Sequence, residues 1–252
     1  DRQNLIDIPS GWVPLDRTTI GFPAQSTYDD NFFSFTAGAY LNSSTGEIVI
    51  AYKGTDFLLE LSGRAWNTVG DLLTDASAAI GGTVSTPQFV QAATYYEEVK
   101  KWAAANGIDS SKISFTGHSL GGGIASVMSV WFNRPATTFA QAPFETSASS
   151  PISIAAISAA LFAKGISDPD FEAFRSGWLS PTGNAVFAQR QALVTDYSIQ
   201  GEFLNYVRLA ANSIAGNAQT IALGEQALGD ALALHAMNLH AAFLFDDGLR
   251  QL

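Results

Sequence analysis

The stretch ISFTGHSLGGGIASVMSV, residues 113–130, decides the fold because it places a serine between a strand pattern and a helix pattern. The residues KISFTG before the serine predict a strand. After Leu120 the run GGGIASVMSVWFN is apolar on all sides, which is typical of a helix buried against a sheet. Residues 117–121 fit the pattern G-x-S-x-G, in which a sharp turn exposes a serine between strand and helix. This context predicts that Ser119 is a nucleophile rather than an ordinary turn residue.

The glycines around the serine indicate how an anionic intermediate would be held. Gly117 and Gly121 lack Cβ atoms, so neighbouring backbone can approach the turn closely. The helix that follows directs its N-terminal N–H groups at the place where an oxyanion would form, and the first such donor is Leu120. A second donor must come from a loop after an earlier strand. Residues 46–54, GEIVIAYKG, predict that strand, and Thr55 follows it with an N–H and a hydroxyl.

The choice of a general base is limited because the chain has three histidines. His118 is adjacent to Ser119, so its side chain must point away from the serine. His235 and His240 both lie late in the chain, in the order serine, acid, histidine. They are separated by about 140° around a helix, so they cannot both face Ser119. His235 lies nearer the start of the apolar run AMNLHAAFLF and is the predicted base, with His240 as the alternative.

The acid of a catalytic triad is expected just beyond the carboxyl end of a late strand. The segment ALVTDYSIQGEFLN offers Asp196 and Glu202. Asp196 falls inside the strand pattern, whereas Glu202 follows Gly201 at its end. Position therefore favours Glu202, and Asp196 stays the alternative because aspartate usually fills this role.

Composition limits the class of protein. The 252 residues are 47% hydrophobic and 14% charged, and the absence of internal repeats and linkers indicates a single domain over residues 1–252. Strands that alternate with helices predict an α/β fold with a mostly parallel central sheet flanked by helices. The net charge of −10 argues against nucleic acid as a partner. The longest apolar stretches are too short for the roughly 20 residues that cross a bilayer, so no transmembrane segment is expected.

Cysteine and histidine usage bears on cofactors and location. The chain has no cysteine, which fits a secreted bacterial protein or a cytosolic one. The three histidines lack the spacing of metal ligands, so we expect neither a metal nor another cofactor. The chain begins DRQNLIDIPSGW, which has no basic region followed by an apolar run. We predict a secreted, extracellular protein, with a cytoplasmic location as the alternative.

Several segments together resemble the class 3 lipase family of α/β-hydrolases, including bacterial lipases and enzymes of the phospholipase A1 type. They are YKGTD, the tryptophan and DLLTD that follow, GHSLGGGIA, a strand ending in APFE, TDYSIQGE and a late histidine. The resemblance covers roughly residues 46–245 and implies an α/β-hydrolase fold with Ser119 as nucleophile, His235 as base and Thr55 in the oxyanion hole. The family usually has aspartate in a GDPV-like setting, where this chain has Glu202 in GEFL.

The same resemblance implies a lid-like insertion and an activity. Residues 146–191 and part of 56–86 are the candidate lid, and its apolar side chains would suit an acyl chain, a transient lipid interface or, more simply, the core. Calcium-binding repeats found at the C-terminus of some bacterial relatives are missing, so the chain could be a fragment of a longer protein. The expected activity is hydrolysis of lipid acyl esters through an acyl-enzyme. The alternatives are a short-chain carboxylesterase and a catalytically silent hydrolase fold that binds a ligand.

Overall fold

The computed structural model describes residues 8–21, 35–53, 86–202, 204–205, 208 and 215–221. Seven strands lie in this part of the chain: β1 (Trp12–Leu15), β2 (Ala37–Asn42), β3 (Ile48–Tyr52), β4 (Ile113–His118), β5 (Ala136–Phe139), β6 (Val194–Ile199) and β7 (Asn217–Ile221). Six α-helices accompany them: α1 (Thr86–Ala105), α2 (Leu120–Phe132), α3 (Glu145–Ala148), α4 (Pro151–Ala163), α5 (Pro169–Trp178) and α6 (Gly183–Gln191).

The seven strands form one sheet in the order β1 to β7. The pairs β1–β2 and β2–β3 are antiparallel, and every pair from β3 to β7 is parallel. The serine-bearing strand β4 is central, and Gly117 near its end lies opposite Tyr52 of β3 and Thr138 of β5. The predicted α/β fold with a mostly parallel sheet flanked by helices is confirmed.

One face of the sheet carries the main core. Ile48, Ile50 and Tyr52 of β3 are buried, whereas Val49 and Ala51 between them are half-buried, so the strand alternates as its sequence predicts. Phe115 lies on the same face in β4, and its ring packs 5.3 Å from the ring of Tyr96 in α1. Helix α1 therefore covers this face.

Helix α2 packs in the same layer and is buried along its length. Residues 121–132 of α2 are all buried, as the apolar sequence predicts. The aromatic side chains at its C-terminal end contact neighbouring helices: Trp131 packs against Phe89 of α1, and Phe132 stacks on Phe171 of α5 at 5.7 Å. This helix joins the sheet to the helices that follow.

Residues 146–191, the main candidate lid, are largely helical. They form most of helices α3 to α6, and the N-caps of two of these helices explain where they begin. The Ser150 hydroxyl accepts a hydrogen bond from the Ser153 N–H, and the Asp168 carboxylate accepts one from the Phe171 N–H. A proline follows each cap at the first helical position, where its missing N–H costs nothing.

The apolar side chains of this segment divide between core and surface. Ile157, Phe171 and Phe174 are fully buried, whereas Phe162 is 85% exposed and Ile152 is 61% exposed. Packing of these helices on α1 and α2 makes much of the candidate lid part of the core. Its action as a lid stays a prediction, and residues 54–85, which hold most of the other candidate segment, lie outside the described residues.

Three sequence interpretations of the strands need correction. Strand β5 ends at Phe139 instead of near Pro143, because Ala140 adopts a φ of 44° and turns the chain away from the sheet. The sequence does not predict β7, whose exposed residues NAQTI lack the usual alternation. Strands β1 and β2 were not identified as elements of the sheet. Within the described residues, no helix combines the length and apolar character needed to cross a bilayer.

Candidate active site

Ser119 is the single residue that joins strand β4 to helix α2. Its φ of 56° and ψ of −124° lie outside the regions that residues with a side chain normally occupy. Three backbone hydrogen bonds hold this conformation. The Ser119 N–H donates to the Phe139 carbonyl at 3.1 Å, and the Ser119 carbonyl accepts from Ala142 at 2.9 Å and Gly123 at 3.1 Å. The residue is half-buried, so strain is stored where a side chain remains accessible.

Glycines allow the backbone around this turn to come close together. A Cβ atom on Gly117 would lie 2.3 Å from the carbonyl carbon and oxygen of Gly121. A Cβ on Gly122 would lie 3.1 Å from the Cα of Gln141, and one on Gly123 would lie 3.2 Å from the carbonyl oxygen of Ala142. Gly117, one of the two glycines predicted to permit close approach, is therefore required by this packing, and Gly122 and Gly123 leave little space for a side chain. Residues 117–123 are called the serine turn below.

Leu120, a predicted oxyanion-hole residue, is the first residue of the 13-residue helix α2. The first N–H groups of a helix have no partner within it and carry partial positive charge. The Ser119 side chain makes no capping hydrogen bond to them. The N-terminus of α2 thus begins directly beside the Ser119 side chain, as the oxyanion hypothesis requires.

Asp196 lies inside strand β6 and is 2% exposed. Its Oδ1 atom accepts hydrogen bonds from the Thr138 hydroxyl at 2.9 Å and from the Gln141 N–H at 3.2 Å. Burial raises the pKa of Asp196, and the Arg208 guanidinium and these hydrogen bonds oppose that rise. Thr138 of β5 lies opposite both Gly117 of β4 and Asp196 of β6. Asp196 therefore holds the loop after β5 through its hydrogen bond from the Gln141 N–H.

Glu202 lies beyond the carboxyl end of β6 and is completely buried. Its Oε1 atom accepts a hydrogen bond from Arg208 at 2.7 Å, and its Oε2 atom accepts one from the Leu204 N–H at 2.9 Å. Parallel strands end at a common edge, so Glu202 and Ser119 share the carboxyl edge of the sheet, two strands apart. This placement supports the preference for Glu202 over Asp196, and the catalytic role of either carboxylate stays a prediction.

Arg208 is a site residue that the sequence interpretation missed. Its guanidinium is buried and donates to the Gln141 carbonyl at 2.6 Å as well as to Glu202 and to the Asn205 side chain. It also lies 3.8 Å from the Asp196 carboxylate. No local pattern marks this arginine, because its partner Gln141 is 67 positions away in the chain.

The predicted base is not among these contacts. His235, its alternative His240 and the oxyanion residue Thr55 all lie outside the described residues. His118 is the last residue of β4, opposite Phe139, and is half-buried. Among the residues that the structure describes, no cluster of histidine, aspartate and glutamate side chains has the composition of a metal site.

Comparison with known proteins places the chain in a family. A model of a phospholipase-like family, described as a Tle-like phospholipase domain, matches residues 2–244. No curated protein sequence matches the chain. Among solved structures, the extracellular lipase LipA from Serratia marcescens is similar, with 22% sequence identity and a TM-score of 0.37. The similarity covers 52% of this chain and 25% of that lipase. Because the family model spans nearly the whole sequence, the resemblance to lipases and phospholipases is confirmed, and the chain belongs to the phospholipase-like family of the Tle-like type.

Proposed function

We propose that the protein is a serine hydrolase that cleaves the acyl esters of lipids through an acyl-enzyme. The observation that carries the proposal is the strained Ser119 at the end of the central strand, directly before the N-terminus of α2. Membership of a phospholipase-like family supports a lipid ester as substrate, with a phospholipid as the preferred class. A short-chain ester substrate and a silent binding fold are the outcomes that the experiments below distinguish.

In the proposed first step, Ser119 Oγ attacks the ester carbonyl carbon while His235 takes its proton. Glu202 holds the imidazole in the required tautomer and balances its positive charge. The carbonyl oxygen becomes an oxyanion that the N–H groups of Leu120 and Thr55 stabilise. Collapse of the tetrahedral intermediate releases the alcohol, which receives the proton from His235 and leaves the acyl group on Ser119.

In the second step, water attacks the acyl-enzyme and His235 accepts a proton from it. A second tetrahedral oxyanion forms at the same N–H groups. Its collapse breaks the bond to Ser119 Oγ, returns the proton to the serine and releases the fatty acid. One water is consumed, and one alcohol and one carboxylic acid are formed.

The direct test replaces the nucleophile. Ser119→Ala should abolish turnover of p-nitrophenyl esters and prevent labelling by a fluorophosphonate, with an unchanged circular dichroism spectrum. Retained turnover in the folded variant would show that another group does the chemistry. A wild-type protein that neither turns over esters nor reacts with the fluorophosphonate would be a silent binding fold.

The substrate class is tested by comparing p-nitrophenyl esters of increasing chain length with phospholipids labelled at either acyl position. The proposal expects release of labelled fatty acid from phospholipid vesicles at a kcat/KM at least equal to that for the short esters. Turnover of the short esters alone would indicate a carboxylesterase.

The acid is identified by paired substitutions. Glu202→Gln should lower kcat by roughly 10²–10⁴-fold, because a neutral amide cannot balance the imidazolium. Asp196→Asn should lower it much less, because the amide oxygen can still accept the hydrogen bonds from Thr138 and Gln141. The opposite order of kcat values would assign Asp196 as the acid.

A further inference from the structure

Arg208 joins the three parts of the molecule that meet at the carboxyl edge of the sheet. Its guanidinium contacts Glu202 after β6, the Gln141 carbonyl after β5 and, at a longer distance, Asp196 within β6. With a side chain that is 6% exposed, it is nearly as buried as the two carboxylates it contacts. A cation in this position has an energetic effect on both of them, because little water screens the charges.

Arg208 lies closer to the Glu202 carboxylate than to the Asp196 carboxylate. One guanidinium nitrogen, Nη2, lies 2.7 Å from Glu202 Oε1, whereas the other, Nη1, lies 3.8 Å from Asp196 Oδ2. Asp196 has two other hydrogen-bond donors, Thr138 and the Gln141 N–H, which partly satisfy its carboxylate. Glu202 is completely buried, and removal from water disfavours its ionised form unless a cation compensates. Arg208 supplies that cation by a charge-assisted hydrogen bond.

The contact to Gln141 links the same arginine to the serine. Gln141 packs against Gly122 of the serine turn, and its neighbour Ala142 donates the hydrogen bond that holds the Ser119 carbonyl. One planar guanidinium therefore fixes the position of Glu202 relative to the loop that supports Ser119. A lysine could supply the charge but not both hydrogen bonds in this geometry.

We propose that Arg208 is a positioning residue, which keeps Glu202 ionised and holds it in register with the serine turn. The inference rests on the proposed function, in which Glu202 orients the catalytic histidine. Arg208 acts on the reaction only through Glu202 and the Gln141 loop. The Asp196 carboxylate also attracts the Arg208 guanidinium, and its negative charge weakens the stabilisation that Arg208 gives to ionised Glu202.

The first test is the pH dependence of kcat/KM for p-nitrophenyl butyrate in Arg208→Met and Arg208→Lys. Loss of the cation makes the histidine–glutamate pair bind its proton more tightly, so the acidic limb should move about one pH unit upward in the Met variant. The limb should stay near the wild-type position in the Lys variant, which keeps the charge. We expect kcat to fall roughly 10²-fold in the Met variant and less in the Lys variant, with KM little changed.

A matched control separates this effect from loss of a buried arginine in general. Arg190 is also buried and donates to the Val130 and Trp131 carbonyls at the end of α2, away from the serine turn. Arg190→Met should lower the melting temperature and leave the acidic limb in place. An equal shift in the Arg190 and Arg208 variants, or an unshifted limb in Arg208→Met, would overturn the inference.

A second measurement leaves Arg208 intact, so it serves even where Arg208→Met does not fold. Asp196→Asn removes the competing negative charge and should move the acidic limb downward, opposite to Arg208→Met. A limb that does not move in Asp196→Asn would contradict the shared-cation arrangement. Failure of the proposed function is recognised separately, because Ser119→Ala would then keep activity or Glu202→Gln would leave kcat unchanged whatever the Arg208 variants do.

Discussion

The serine turn with its supporting loops and the helical layer, formed by α1, the part of α2 after residue 123, and α4 to α6, are held together by different interactions. Around the serine turn, buried polar groups such as Thr138, Asp196 and Arg208 bind backbone atoms and one another. In the helical layer, the buried side chains are mainly aliphatic and aromatic, as in the packing of Phe171 against Trp131 at 6.1 Å. The first region fixes positions, whereas the second removes apolar surface from water.

This difference predicts different consequences of mutation. Apolar packing is non-directional, so its loss should lower stability and leave the geometry at the carboxyl edge intact. Close backbone contacts and directional hydrogen bonds have one acceptable arrangement, so their loss should lower activity by more than stability alone explains. The variants below test this distinction, and the Ser119, Glu202 and Arg208 variants already described belong to the first region.

The largest effect in this comparison is expected from Gly117→Ala. Its new Cβ would lie 2.3 Å from the Gly121 backbone, and backbone atoms cannot rotate away. We expect kcat/KM to fall by more than 10²-fold and stability to fall by about 3 kcal/mol, measured by ester hydrolysis and urea unfolding.

Gly123→Ala is the graded control for this substitution. Its Cβ would lie 3.2 Å from the Ala142 carbonyl oxygen, which a small backbone shift can relieve. It should therefore lose less activity than Gly117→Ala. Equal activity of Gly117→Ala and the wild type would show that the close approach of Gly117 and Gly121 is not needed for catalysis.

The helical layer is tested with Phe171→Ala. Phe171 is fully buried between Trp131 and Phe132, so removal of its ring should cost about 3–5 kcal/mol of unfolding free energy. Activity per folded molecule at low temperature should stay within about twofold of wild type, because Phe171 packs on Trp131 and Phe132, at the opposite end of α2 from the serine turn. Urea unfolding and active-site titration with the fluorophosphonate measure the two quantities.

Phe162→Ala is the matched control, because the Phe162 ring is 85% exposed on α4. Its stability should change by less than about 0.5 kcal/mol. A loss of kcat/KM in Phe171→Ala as large as that in Gly117→Ala would mean that the two regions are not separable.

The sequence predicted the parts of the fold whose signals are local. The alternation of β3 and the serine between β4 and α2 both follow from residues close in the chain, and the structure has each of them. The N-cap residues Ser150 and Asp168, each followed by proline, also form a local pattern. This pattern predicts the starts of α4 and α5. Strand β7 could not be predicted in this way, because it is the last strand of the sheet among the described residues and its exposed side chains require no apolar alternation.

The candidate site was predictable only in part. Ser119 and Leu120 carry their own motif, and the position of Glu202 after β6 could be inferred from strand order. The burial of Glu202 and its pairing with Arg208 depend on how the loops after β5 and β6 meet, and Arg208 joins residues 67 positions apart. Such long-range contacts leave no pattern in a single sequence.

The helical layer also holds buried charged side chains, and one carboxylate among them has a raised pKa. Glu97 of α1 is 7% exposed, with Lys100 at 3.6 Å and the buried Asp168 carboxylate nearby. Burial raises the pKa of Glu97 to about 8; Lys100 opposes the rise and Asp168 adds to it. Burial of Asp168 disfavours its ionisation, but the hydrogen bonds from Lys100 and the Phe171 N–H outweigh this and lower its pKa. The stabilisation from Asp168 is therefore present above about pH 4, and it is lost only as the pH falls below that value.

Glu97→Gln should flatten the pH dependence of stability without affecting catalysis. The raised pKa means that the folded protein holds the Glu97 proton more tightly than the unfolded chain, so this stabilisation is lost as pH rises from about 5 through about 8. Glutamine has no proton to lose. The free energy of unfolding in urea should therefore fall by roughly 1–2 kcal/mol less between those pH values in the variant than in the wild type. Glu172→Gln, which breaks the half-exposed pair with Arg175, should leave the decline unchanged. If the unfolding free energy of Glu97→Gln fell as steeply with pH as that of the wild type, ionised Glu97 would not destabilise the folded protein. The helical layer would then tolerate a buried charge, as the region around the serine turn does.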